Sequence, residues 1–179
     1  MGGTPAQRPG FPLRAFALGA KPAAVQGATP EALRSAASAF PTGVALVTAP
    51  GGLGLHVDTF IAASLDPPLV AFSPSRGSLT WRRLRRAPRI GISVLGAQHA
   101  AGLRERARPG ADSLAGLDVE LLEGGVPVVR DAPAVLVCEL VAEHPAGDHT
   151  LAVARVLSVR ERPGGTPLVF HRGQLGPGC

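Results

Sequence analysis

From Val44 onward, apolar positions recur mostly at every second residue, with turn residues every few positions. Residues 44–49 read as a strand, Pro50-Gly51-Gly52 as a turn, and residues 55–64 as a second strand. Further strands are expected over 69–72, 90–95, 117–122, 134–143, 150–160 and 167–170. Helical spacing is confined to three stretches, of which the first is sharply punctuated. Thr29 suits an N-cap, Pro30 the first helical position and Glu31 the positive end of the helix dipole. That helix is expected to run to about Phe40, where Pro41 and Gly43 end it. Residues 78–86 and 98–107 are the other two. Many strands, close turns and few helices predict a mainly β barrel or sandwich rather than a βαβ sheet. Before the first helix, residues 1–28 are rich in Gly, Pro and Ala without a sustained period, and read as a flexible arm. Residues 29–179 then form one domain.

Composition alters this picture little. Hydrophobic residues make up 45% of the 179, enough for one sizeable core. No apolar run approaches the roughly 20 residues needed to span a bilayer. The brief stretch Phe11-Pro12-Leu13-Arg14-Ala15-Phe16-Ala17-Leu18 is a poor secretory signal, so a soluble cytoplasmic protein without a membrane partner is expected. The chain lacks Asn and Tyr and has one Lys, Lys21, a skew that codon usage in a GC-rich genome produces without any physical cause. The net charge of +5 is therefore not read as a nucleic-acid signal. Its one cluster, Trp81-Arg82-Arg83-Leu84-Arg85-Arg86, puts Trp81 and Leu84 on one helical face and the arginines outward. No aromatic platform or groove-reading motif accompanies it, and nucleic acid is not an expected partner. Cys138 alternates with Leu136 and Leu140 and is expected in the core; Cys179 ends the chain. Neither a disulfide framework nor a metal site follows from two such cysteines.

The second strand is where candidate chemistry gathers. Side chains alternate, so Leu55, Val57, Thr59, Ile61 and Ala63 share one face, and His56, Asp58, Phe60, Ala62 and Ser64 the other. His56 and Asp58 would lie roughly 6–7 Å apart on one face, placed either for ligand binding and acid–base work or as two solvated polar groups. The strand runs into Ser64-Leu65-Asp66-Pro67-Pro68, where two prolines fix the backbone and remove two N–H donors. Such a corner can present main-chain groups to a flat ligand.

These segments resemble the flavin reductases of the split-barrel type, the components that supply reduced flavin to two-component monooxygenases. The likeness rests on Phe40-Pro41-Thr42-Gly43-Val44, on Ser64 through Val70, on Ser78 and Thr80, and on Val94, Leu95 and Gln98. It continues with Gly147-Asp148-His149 and with Pro167 to Phe170 before Gly173, so it covers residues 30–175. The resemblance implies a homodimer of Greek-key split β-barrels that binds FMN or FAD and uses NADH or NADPH as co-substrate. It implies flavin contacts from Thr59, Ala62, the backbone of Ser64, Leu65, Asp66 and Pro67, and the backbone of Ser93, Val94 and Leu95. Ser78 and Thr80 would add hydroxyls near the phosphate, and His149 would lie where nicotinamide stacks on the ring. The partner would be a flavin-dependent monooxygenase that receives the reduced flavin.

Where the family shows Thr, Asn and Ser before the proline corner, this chain has His56, Asp58 and Ala62. An ionised Asp58 facing a flavin phosphate would repel it unless a cation stood nearby. Two readings follow. In one, the chain is an NAD(P)H-dependent flavin reductase whose catalytic candidates are His149, His56 and Asp58. In the other, it is a divergent split barrel that binds a flavin or another small molecule without reductase turnover, or catalyses a non-redox step with His56 and Asp58. Asp148 is expected to shape a turn, and His99, His144 and His171 to lie at the surface.

Overall fold

The computed structural model describes residues 27–106 and 114–178. The expected N-terminal arm, apart from Gly27 and Ala28, and the terminal Cys179 lie outside them. The first described element is helix α1 (Pro30–Ala37), whose N-cap Thr29 accepts a hydrogen bond from the Ala32 N–H at 3.2 Å, as its punctuation predicts. Strands β1 (Thr42–Gly43), β2 (Ala45–Ala49), β3 (Leu53–Val57), β4 (Ile61–Leu65) and β5 (Pro68–Phe72) follow. Then come α2 (Leu79–Leu84), β6 (Ile90–Val94), a 3₁₀ turn (Ala97–His99) and α3 (Ala100–Arg106). Six further strands follow among the described residues: β7 (Val119–Leu122), β8 (Val126–Val129), β9 (Ala134–Ala146), β10 (His149–Glu161), β11 (Leu168–His171) and β12 (Gln174–Pro177).

Seven strands form one antiparallel sheet in the order β3-β2-β6-β9-β10-β5-β4. Its two outermost members, β3 and β4, are consecutive in the chain and joined only by Asp58–Phe60. A flat sheet of this width would hold its edges roughly 29 Å apart at the usual strand spacing. The linker can span at most about 14 Å from Val57 to Ile61. The sheet must therefore curl until its edges meet, giving a split barrel with no ladder across the seam. Thr59, within the linker, lies where the β4–β5 pairing would continue: its hydroxyl accepts from the Ser73 N–H at 2.8 Å.

The residues expected to form one strand over 55–64 are thus two strands on opposite edges of the sheet, and the alternation assumed through them breaks at Asp58. Three strands among the described residues escape the sequence pattern altogether: β8, β12 and the two-residue β1. Pro127 sits inside β8, where a proline argues against a strand; the pairing of Leu121 with Pro127 in the two-stranded β7–β8 sheet accommodates it. The β12 segment is short and contains Gly176 and Pro177. It pairs with β11, and β11 in turn with β1, in a separate three-stranded sheet.

Two cores result. Inside the barrel, Val47, Phe72, Ile90, Ile92 and Cys138 pack with Trp81 and Leu84 of α2, and Trp81 meets Phe72 edge-on with ring centroids 5.6 Å apart. Burial pushes the Cys138 thiol up to about 12, as expected of a core cysteine with no anion-stabilising neighbour. On the outer face of β2 and β6, Leu46 and Leu95 pack with Leu103 of α3, Val128 of β8 and Leu168 of β11.

His99 belongs with this second core rather than at the surface. It is 8% exposed, and its Nδ1 accepts from the Gly96 N–H at 3.0 Å. Burial holds its pKa below the ordinary 6.5, with the Asp131 charge opposing. The unfolded chain therefore takes up a proton near 6.5 while the folded chain still resists it, so stability is lost as pH falls through that value. Urea midpoints should be lower at about pH 5.5 than at about pH 7.5. His99→Gln, which keeps an uncharged acceptor, should remove that part of the acid loss.

Candidate functional site

The seam of the barrel opens into a cleft of about 420 Å³. One wall is β3 with its exit, contributing Leu55, His56, Val57 and Asp58. Opposite stand Phe170 of β11 and Leu175 of β12, with Val44 and Leu103 behind them. The rim is polar: Ser73, Pro74, Ser75, Ser78 and His149. Four residues singled out from the sequence, His56, Asp58, Ser78 and His149, therefore meet in one place, although nearly a hundred positions separate the first from the last.

His149 owes its position to main-chain bonds. Gly147 and Asp148 form the two-residue loop between β9 and β10, and Gly147 alone has a positive φ, 63°, the pattern of a type II′ turn. The segment after β5 clamps this tip: the Arg76 N–H donates to the Asp148 carbonyl, the Thr150 N–H to the Pro74 carbonyl, and the Arg76 guanidinium to the Gly147 carbonyl at 3.2 Å. Asp148 then orients the ring, its Oδ1 lying 2.8 Å from His149 Nδ1. This hydrogen bond, with the His149 charge and a lesser contribution from Arg34, holds the Asp148 carboxyl below the usual carboxylate range. With Nδ1 turned to the carboxylate, Nε2 is the ring atom left for a ligand.

His56 occupies the exposed end of a row that crosses four strands, His56–Leu46–Ser93–Val135. The β7–β8 hairpin covers the middle of this row, and β3 extends beyond the cover. That is why His56 reaches the cleft and Ser93 does not. Ser93 is 0% exposed and its Oγ accepts from the Val129 N–H at 2.9 Å. Leu95 is equally buried; its N–H donates to the Val44 carbonyl and its carbonyl accepts from the Leu168 N–H. Both positions join β6 to its neighbours, and neither they nor Val94 line the cleft.

The proline corner also lies elsewhere. Asp66 and Pro67, linked by a cis peptide, form the loop between β4 and β5, with Leu65 88% exposed beside them. Ser64, Ala62 and Thr80 are likewise absent from the cleft lining, and Thr59 acts through its bond to Ser73. The Ser78 hydroxyl lines the cleft while capping α2, accepting from the Trp81 N–H at 3.1 Å. As expected, Trp81 and Leu84 turn inward and Arg82, Arg83, Arg85 and Arg86 outward, with Arg85 paired to Glu143 at 2.7 Å.

A second cavity, about 610 Å³, adjoins the first and shares Asp58 and Phe170 with it. Its other residues are Glu31, Arg34, Ser35 and Ser38 from α1 and its C-terminal end, and Arg172 and Gly173 from the loop between β11 and β12. Sequence reasoning missed Phe170 as a shared wall and both arginines. The available signal was Arg172-Gly173 itself, a dipeptide of turn character between two short apolar runs. Among the described residues no helix is long and apolar enough to cross a membrane, and no group of three His, Cys, Asp or Glu side chains is placed to hold a metal ion.

Residues 37–178 match the family model described as the flavin reductase like domain. The chain belongs to the flavin reductase-like family. Among curated relatives, the FMN reductase (NADH) SmoA of Agrobacterium fabrum is 38% identical over 84% of this chain and 87% of its own. The reductase subunit HsaB of a flavin-dependent monooxygenase from Rhodococcus jostii is 31% identical over 84% of this chain and 79% of its own. Among solved structures, the NADH:FAD oxidoreductase SgcE6 of Streptomyces globisporus superposes with a TM-score of 0.80 at 29% identity, over 89% of this chain and 99% of that one.

Flavin reductase-like membership makes a flavin the group to test against the cleft, and the lining fits one. A planar ring needs apolar walls, which Leu55, Val57, Phe170 and Leu175 offer; a polar tail needs hydroxyls, which Ser73, Ser75 and Ser78 offer at the rim. The volume lies within the range of small-molecule sites. Ser93→Ala separates fold from site within this family frame. It should leave the buried Val129 N–H unpaired and lower unfolding stability by about 1–3 kcal/mol. Flavin affinity of the folded variant, read by flavin fluorescence quenching, should stay within twofold (~0.4 kcal/mol) of the parent.

Proposed function

We propose that the chain is an NADH-dependent flavin reductase whose reduced FMN or FAD leaves to serve a separate flavin-dependent monooxygenase. One observation carries this reading: an apolar-walled cleft that ends at a histidine whose ring is held by its neighbouring aspartate. When bound, the flavin supplies an acceptor for the nicotinamide hydride. The protein's work is then largely positional, because hydride transfer depends on stacking and orientation more than on an acid or base. Leu55, Val57 and Phe170 bear on the flat faces and exclude water. Ser73, Ser75 and Ser78 hold the polar tail, and His149 guides the nicotinamide through Nε2.

Asp58 favours the second reading, since among the described residues no Lys or Arg lines the first cleft, and Arg34 and Arg172 meet Asp58 only in the adjoining cavity. Purified protein mixed with NADH and either FMN or FAD should consume NADH, followed at the nicotinamide band, only when flavin is present. No consumption together with no flavin retention would remove the reductase reading; retention without consumption would favour a binding protein. Asp58→Asn should tighten flavin binding several-fold, on the order of 1 kcal/mol, if the carboxylate faces the flavin phosphate. Unchanged or weaker binding would place that phosphate elsewhere.

The assembly is proposed to be a homodimer. Apolar side chains stand exposed on β4 and β10, with only β5 between them: Ile61 at 57%, Leu65 at 88% and Val159 at 63%. A second copy would cover such a surface and the free edge of β4 together. Leu65→Asp should then shift the elution volume toward a monomer, whereas a parent that already elutes as a monomer would refute the dimer.

A further inference from the structure

The second cavity has an occupant written in its charges. Arg34 and Arg172 both line it, and neither makes an ion pair within 4.0 Å among the described residues. Arg172 is also an unusual residue for its place. The β11–β12 loop has two residues, Arg172 and Gly173, both with positive φ, 48° and 78°. This is the type I′ pattern, in which the first position ordinarily holds Asn, Asp or Gly because a β-carbon is strained there. The Arg172 N–H donates to the Ser38 carbonyl at 3.0 Å, which ties the turn to the end of α1 and brings the two arginines to one cavity. Arg34 also reaches toward the first cleft, close enough for its charge to act on Asp148 beside His149. A molecule with one end at His149 therefore has a continuous path past Asp58 and Phe170 to two guanidinium groups.

We propose that this cavity seats the adenosine diphosphate half of the nicotinamide co-substrate, with Arg34 and Arg172 on the diphosphate. The inference rests on the reductase reading and adds to it a choice of co-substrate. Two guanidinium charges answer the two charges of a diphosphate. Glu31 and Asp58, the carboxylates of the same cavity, can accept hydrogen bonds from ribose hydroxyls and would repel a third phosphate. NADH is thereby favoured over NADPH.

ADP-ribose, which carries the diphosphate without the nicotinamide, tests this by calorimetry on the whole chain. Arg34→Gln keeps helix propensity, and Arg172→Asn places a residue suited to positive φ in the turn, so both variants should fold. Each should weaken ADP-ribose binding roughly tenfold and raise the KM for NADH by a similar factor, the loss falling on KM rather than kcat. ADP-ribose 2′-phosphate should bind more weakly than ADP-ribose to the parent, and Glu31→Gln should narrow that gap. Unchanged ADP-ribose binding in both arginine variants would overturn the proposal even where flavin-dependent NADH oxidation is intact. So would a loss of FAD affinity relative to FMN with ADP-ribose binding preserved, which would assign the diphosphate to the flavin. A parent without flavin-dependent NADH oxidation would remove the underlying reading, and this inference with it.

Discussion

The linker Asp58–Phe60 is the constraint on which the molecule depends. By holding the two edges of a seven-stranded sheet within one short loop of each other, it obliges the sheet to close on itself. Closure creates an inside, filled by the aliphatic residues around Trp81 and Cys138. It also creates an outside that must be covered separately, by the β7–β8 hairpin, α3 and β11. The cleft lies where these two demands leave a gap. The seam has no ladder to fill it, and the outer cover stops short of β3. The site is thus a by-product of how the barrel closes, and its polar residues sit at the margins of two apolar cores.

Electrostatics divide the opening into unlike halves. Toward His149 the walls are aliphatic and aromatic and the rim is made of hydroxyls; toward α1 the cavity carries two arginines and two carboxylates. Asp58 stands between them and lines both. Asp58 therefore has two environments to answer to. The repulsion expected from the sequence alone considered only one of them.

Much of the architecture was legible in the chain, because strand alternation and helix punctuation are local signals. The Thr29 cap, the turn at Pro50-Gly51-Gly52, the inward Trp81 and the core position of Cys138 all follow from neighbours a few residues away. Failures arose where a distant contact decided the outcome. An unbroken alternation from Leu55 to Ser64 conceals that its halves pair with β2 and β5, at opposite ends of the sheet. Pro127 hid β8, and His99 looked exposed because its partner, the Gly96 N–H, is a main-chain group that composition cannot reveal. Of the residues lining the two cavities, His56, Asp58, Ser78 and His149 stand out in the sequence while Arg34, Phe170 and Arg172 do not. The first four carry motif character; the others acquire meaning only once α1 and the β11–β12 turn come together. Ser93 shows the converse, a residue of site-like chemistry that the fold uses for itself.

The clamp on the Gly147-Asp148 tip has a consequence for how such a protein can change. Because carbonyl and amide groups of Pro74, Arg76, Asp148 and Thr150 locate the tip, the position of residue 149 is largely indifferent to the side chain that stands there. The barrel can therefore exchange the chemistry of its cleft residue by residue while the scaffold keeps its shape.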